Sequence, residues 1–85
     1  MNVEIYGKTP CPFCDRAKAL CESRGLSFVY YDIQADPQRY GEFIVRSKGA
    51  RTVPQIFIGE TLIGGFTEFN KAISDGIVEQ MLGGA

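Results

Sequence analysis

The junction Cys11-Pro12-Phe13-Cys14 constrains the fold more than any other segment of this chain. It follows the apolar, strand-like run Val3-Glu4-Ile5-Tyr6, closed by Gly7, and it opens a stretch in which Cys14, Ala17, Leu20 and Cys21 recur on one helical face. That order places Cys11 at a helix N-terminus, where unpaired backbone N–H groups and the helix dipole favour negative charge. A thiolate, not a thiol, is the working nucleophile, so this placement makes an ordinary cysteine reactive. Two thiols at this spacing form a reversible redox pair, and the expected chemistry is thiol–disulfide exchange.

Composition narrows the alternatives. At 85 residues the chain is expected to be one domain, 1–85, because no smaller piece would keep a core of its own. A hydrophobic fraction of 45% with scattered charges is that of a soluble globular protein, and no apolar run approaches the roughly 20 residues of a membrane span. The start Met1-Asn2-Val3-Glu4 lacks the features of a signal peptide, so a cytoplasmic or equally reducing location is expected. The three cysteines all lie between positions 11 and 21, whereas a secreted disulfide scaffold spreads more of them along the chain. A net charge of -1 gives no reason to expect nucleic acid. One basic stretch, Arg39, Arg46, Lys48 and Arg51, interrupted by Glu42, reads either as a solvated helix face or as an anion or partner surface near the site. With no histidine, His-assisted catalysis and the commonest metal ligand are both absent.

Along the chain, strands are expected at 3–6 and 27–33, with a helix between them that starts at Pro12 and is capped by Gly25. Asp36-Pro37 is a helix start, with Asp36 as N-cap; Tyr40, Phe43, Ile44 and Ser47 share a face of that helix, and Gly49 ends it. Two short strands, 55–58 and 61–63, flank Gly59-Glu60, a pair suited to a type II′ hairpin. After Gly64-Gly65 a last helix carries Phe69, Ala72 and Ile73; Asp75-Gly76 breaks it, and a final turn buries Ile77, Met81 and Leu82. The order β-α-β-α-β-β-α makes the first two strands parallel and adds the hairpin as antiparallel strands to one mixed α/β sheet.

Four segments then line up. Lys8 ahead of Cys11-Pro12-Phe13-Cys14, Thr52-Val53-Pro54 before the third strand, and Gly64-Gly65-Phe66-Thr67-Glu68 after the fourth resemble the glutaredoxin family over essentially the whole chain. A lone CxxC is weak, but these motifs at these spacings are specific, and the match is nearest to small bacterial and phage dithiol glutaredoxins. The resemblance implies a thioredoxin-like fold with a four-stranded mixed sheet. It also implies a glutathione-dependent oxidoreductase that reduces protein disulfides and glutathione mixed disulfides, with glutathione as co-substrate and no permanently bound cofactor.

It assigns residues as well. Cys11 is the expected nucleophile, exposed, and Cys14, one turn on, the more shielded resolving thiol, close enough to form a disulfide across the first helical turn. A structural zinc site would need four ligands, and Cys21 supplies only a third. Cys21 itself reads as a small buried hydrophobe, or else as a regulatory thiol. Lys8 is expected near the glycyl carboxylate of glutathione, where its charge also favours the Cys11 thiolate, although an exposed surface lysine is the bland alternative. Phe13, commonly Tyr in this motif, walls the glutathione groove without a hydroxyl. The Val53–Pro54 bond is expected to be cis, turning the Val53 backbone toward glutathione for strand-like pairing, with Thr52 and Pro54 beside it. Gly65 and Phe66 lead into the last helix, where Thr67 and Glu68 are expected to meet the γ-glutamyl carboxylate and α-ammonium group. Many relatives carry Asp where this chain has Glu68; ordinary capping, with Thr67 as N-cap, is the competing reading.

Two further readings share the motif. One is a redoxin served by a flavoprotein reductase; the other is a dimer holding an iron–sulfur cluster through Cys11 and glutathione, which Pro12 disfavours by stiffening the turn. The expected partners are glutathione and disulfide-bearing or glutathionylated proteins, with ribonucleotide reductase a frequent client of similar proteins. A monomer is expected, with no nucleic acid or membrane as partner.

Overall fold

The structure, a computed structural model, describes residues 2–83. Its elements run β1 Val3–Gly7, α1 Pro12–Ser23, β2 Phe28–Asp32, α2 Pro37–Arg46, β3 Gln55–Ile58, β4 Thr61–Gly64, α3 Phe66–Ser74 and a short α4 Ile77–Met81. The strands form one sheet in the order β2-β1-β3-β4. β1 and β2 are parallel, while β1–β3 and β3–β4 are antiparallel, as the element order implies.

Local chemistry sets most boundaries. Asp36 caps α2, its carboxylate accepting from the backbone N–H of Gln38 at 3.0 Å, and Pro37 opens the helix. α1 ends as expected on Gly25 at φ +66°, which lets the Leu26 N–H return to the Cys21 carbonyl at 2.9 Å. α2 departs from expectation by one residue. The left-handed position falls on Lys48 (φ 57°), and Gly49 follows it, its N–H reaching the Ile44 carbonyl at 2.9 Å. Lys48 is the one non-glycine with positive φ among the described residues. Glu60 therefore has negative φ, and with Gly59 at φ +60° the hairpin takes the type II′ form.

Strand alternation sorts side chains onto two faces. Val3, Ile5, Ile56 and Ile58 face α1, α3 and α4, and pack with Ala17, Cys21, Phe69, Ile73 and Val78. Tyr6 and Phe57 face the other way and pack with Phe43 of α2. One expected core residue is corrected. Ile77 is 45% exposed and Val78, its neighbour, is fully buried, because the left-handed Gly76 sets the rotation of α4 one residue later than the apolar pattern implies. Met81 and Leu82 pack at the edge of the core, as expected.

Candidate active site

The site is built where β1 hands over to α1. Cys11 is the N-cap of α1, in extended conformation, with Pro12 at the first helical position. Its Sγ accepts a hydrogen bond from the Cys14 backbone N–H at 3.1 Å, so the sulfur occupies the place a capping oxygen usually holds. Cys11 and Cys14 form a disulfide, with Cα atoms 5.2 Å apart. Cys14 is fully buried, as expected of the more shielded partner. Cys11 is more enclosed than expected, at 8% exposure, because its sulfur is drawn into the first helical turn and lies 4.0 Å from the Val53 carbonyl oxygen.

That carbonyl belongs to the loop before β3, where the Val53–Pro54 bond is cis as expected. The Thr9–Pro10 bond ahead of Cys11 is also cis, which the sequence reading did not include. Gln55 ties the loop down, its side-chain amide donating to the Thr52 carbonyl at 3.0 Å.

Opposite the loop, the start of α3 supplies the second wall. Gly65 is the N-cap, so Phe66 is the first helical residue and Thr67 the second; Thr67 is not the cap. Glu68 folds back so that its Oε1 accepts from the Gly65 N–H at 2.9 Å. One carboxylate oxygen is thus engaged in capping, and the other has no part in that bond. The Phe13 and Phe66 rings meet with centroids 6.0 Å apart, and the Arg16 guanidinium lies 5.0 Å from the Phe13 centroid.

Between these walls runs a groove of about 190 Å³ lined by Phe13, Thr52, Val53, Pro54, Gly65, Phe66, Thr67 and Glu68. Three separate sequence segments therefore converge on one surface. Lys8 lies elsewhere, in an adjoining cavity of about 410 Å³ that shares Val53 with the groove and also holds Arg51 and Tyr40. Of the basic stretch, only Arg51 joins this region. Arg39 pairs with Glu42 at 2.9 Å and lies over the Tyr31 ring, Arg46 pairs with Glu4 at 3.1 Å, and Lys48 is exposed, so the four cations do not gather into one anion surface.

Gly7 and Tyr30, which meet beside Cys14, escaped the sequence reading. A Cβ on Gly7 would stand 2.8 Å from the Cys14 sulfur, and it would also strike the Tyr30 hydroxyl, so the close approach of β1, β2 and α1 requires glycine there. Gly7 looked like a strand terminator, and only the parallel register that brings Tyr30 alongside Ile5 reveals its role. Cys21, by contrast, is settled as core. It is free and fully buried, and burial first, then the Glu22 carboxylate, pushes its thiol up to about 11. A thiol so placed stays protonated and unreactive near neutral pH.

A Cys-X-X-Cys disulfide capping a helix, facing a proline loop across a β2-β1-β3-β4 sheet, defines a redox protein of the thioredoxin-like fold. Comparison with known proteins narrows the class. The family model for glutaredoxin matches residues 3–63. Glutaredoxin 3 of Escherichia coli strain K12 is 44% identical over 81 residues, spanning 95% of this chain and 96% of its own. Among solved structures, the glutaredoxin of Brucella melitensis superposes with TM-score 0.77 at 38% identity, covering 96% of this chain and 88% of its own. A buckwheat glutaredoxin–glutathione complex does so with TM-score 0.80 at 28% identity, covering 94% and 74%.

The chain belongs to the glutaredoxin family. Its activity is that of a dithiol, glutathione-dependent thiol–disulfide oxidoreductase. Among the described residues, no helix is long and apolar enough to cross a membrane.

Proposed function

We propose that Cys11 is the nucleophile, Cys14 the resolving thiol, and the groove beside them the glutathione site of one glutaredoxin domain spanning residues 1–85. The Cys11 thiolate attacks a sulfur of the substrate disulfide. A Cys11–substrate bond forms, and the leaving thiolate departs with the electron pair and takes a proton from water. With a dithiol client, Cys14 then attacks the Cys11 sulfur, closes the internal disulfide and releases the second client thiol. Two glutathiones reopen it, leaving as oxidised glutathione. With a glutathionylated client, Cys11 takes up the glutathione and a second glutathione removes it, so Cys14 is not needed.

The observation that carries this reading is the groove itself, walled by Phe13, the Thr52–Pro54 loop and the α3 N-terminus, with the carbonyl of its Val53 4.0 Å from the Cys11 sulfur. Negative charge on the Cys11 sulfur is met by the Cys14 N–H and by the start of α1. The Val53 backbone offers a strand-like edge for the cysteinyl unit. At the start of α3, the free N–H groups around Thr67 suit the γ-glutamyl carboxylate, and the uncommitted Glu68 oxygen suits the ammonium group. The glycyl carboxylate goes to Lys8 across Val53, with Arg51 a second cation in that cavity. Glutathione is the co-substrate, with no resident cofactor. The clients are disulfide-bearing or glutathionylated proteins, ribonucleotide reductase being the candidate that the resemblance supplies. The protein acts as a monomer in the cytoplasm, where the glutathione pool sits close to glutaredoxin potentials of about -200 to -230 mV.

The test is turnover of a glutathione mixed disulfide, coupled to glutathione reductase and NADPH, beside reduction of a protein disulfide. Cys11→Ser is expected to abolish both activities. Cys14→Ser is expected to lose protein-disulfide reduction and keep deglutathionylation; equal loss of both would sink this division of roles.

A further inference from the structure

The resolving step poses a problem that the glutathione groove does not address. Cys14 is fully buried, and burial disfavours the thiolate it must become in order to attack. A polar side chain that borders the same space as the Cys14 sulfur is Tyr30. Its position opposite Ile5 on the parallel neighbour β2 turns its ring toward α1. A Cβ on Gly7 would stand 2.8 Å from the Cys14 sulfur and 2.9 Å from the Tyr30 ring carbon Cε1, and closer still to the hydroxyl. The hydroxyl and the sulfur therefore border the same side-chain-sized space, which exists only because residue 7 is glycine. In the disulfide form the hydroxyl donates to the Lys8 carbonyl at 3.2 Å, an acceptor in the segment leading to Cys11. Lys18 Nζ sits 4.1 Å from the ring centroid, and Lys18 is tied to Asp15 at 3.5 Å. Burial, followed by the Asp32 and Asp15 carboxylates, raises the Tyr30 pKa, so the phenol keeps its proton and remains a donor.

We propose that Tyr30 is the positioning residue for the resolving cysteine: its hydroxyl, admitted beside Cys14 by Gly7, donates a hydrogen bond to the Cys14 thiolate as it forms and speeds closure of the Cys11–Cys14 disulfide. This rests on the division of roles proposed above. In the step itself, the Cys14 proton goes to water and the thiolate attacks the Cys11 sulfur. The Cys11–Cys14 bond forms as the Cys11–substrate bond breaks, and the substrate thiolate leaves with the electron pair. Tyr30 gives up no proton; it turns its donor from the Lys8 carbonyl to the sulfur.

The magnitude follows from two opposed effects. A hydrogen bond to the forming thiolate that raises its population about tenfold also lowers its nucleophilicity about threefold, at a Brønsted slope of about 0.4–0.5, leaving a net gain of about threefold. The test is Tyr30→Phe, which removes only the hydroxyl oxygen. Reduced protein is mixed with one equivalent of a chromogenic aromatic disulfide. Attack by Cys11 releases the first aromatic thiolate, and resolution by Cys14 releases the second. In Tyr30→Phe the first phase is expected to keep its rate and the second to slow about threefold, with glutathione-dependent deglutathionylation unchanged. A second phase at the wild-type rate, or both phases slowed alike, would overturn the proposal; a hydroxyl that merely braced the fold would give the latter. Cys14→Ser in the same mixture separates the two claims. If it still released the second equivalent, the resolving role of Cys14 would fall, whatever Tyr30 does.

Discussion

The two faces of the sheet are stabilised by different physics, although the same strands build both. The face under α1, α3 and α4 is dry and uncharged: Val3, Ile5, Ile56, Ile58, Phe69 and Val78 are each 1% exposed or less. The face under α2 is aromatic and ionic. Arg46 reaches across it, donating from Nη1 to Glu4 at 3.1 Å and to the Tyr6 hydroxyl at 3.0 Å, and from Nη2 to the Gly59 carbonyl at 2.6 Å. Its guanidinium lies 4.2 Å from the Phe57 centroid. Tyr31 donates to the other Glu4 oxygen at 3.2 Å, and Tyr6 to Glu42 at 3.3 Å. One helix covers this face, and Arg46 with its partners completes the cover over Tyr6 and Phe57, each 1% exposed. Redox chemistry sits at the end of the sheet where the dry face stops, with Cys14 and Tyr30 on that side and the Val53 loop packed against the aromatic cluster.

The largest test of this contrast is Phe69→Ala. Phe69 is fully buried at the centre of the dry face, and its loss removes apolar burial and leaves a cavity, for about 3–5 kcal/mol. The measure is the urea midpoint at constant m-value. A loss below about 1 kcal/mol would show that the dry core collapses freely and that the contrast between the faces is overdrawn.

Next comes Arg46→Ala, expected to cost about 2 kcal/mol, since it strips a partly exposed carboxylate, a phenol and a carbonyl of one shared donor. Arg46→Met separates packing from polarity, because it restores an apolar stem over Phe57 without the donors. Recovery of less than half the loss is expected. Full recovery in Met would mean that this face, too, is held mainly by burial.

These two residues also mark what was legible in sequence. Phe69 sits in an apolar run of helical period and announces its face locally, as do Cys14, Ala17 and Cys21. The capping signals at Asp36-Pro37 and Gly25, the hairpin at Gly59 and the convergence of three motifs on the groove were likewise local or tied to recognisable segments. Arg46 was not legible. Its partners Glu4, on β1, and Gly59, in the β3–β4 turn, lie far away in sequence, and a helix with two arginines gives no sign that one of them is folded inward. Gly7 and Tyr30 fail for the same reason, because their meeting depends on the β1–β2 register. The rotation of α4 turned on a single left-handed glycine, beyond the reach of an apolar pattern that fits Ile77 and Val78 equally well.

The smallest effect asks whether the dry face rejects charge as firmly as the other accepts it. Cys21 is the probe that nature placed there. Its pKa rises from 9.0 to about 11, chiefly through burial and then through Glu22. A folded-state value above the unfolded one means that the stabilising contribution is complete below about pH 9 and is lost as pH rises through about 11. Over pH 8 to 10 that loss is about 1.4 kcal/mol, the equivalent of roughly one pKa unit. Cys21→Ala removes the titrating group, so its unfolding free energy, measured anaerobically with the Cys11–Cys14 disulfide intact, should fall less steeply than wild type over this range. Tyr6, Tyr30 and Tyr31 are also raised, with burial the leading cause, but they remain in both proteins and cancel in the difference. Parallel slopes would mean that the core admits a thiolate at little cost, and the distinction between a face closed to charge and a face built on it would not survive.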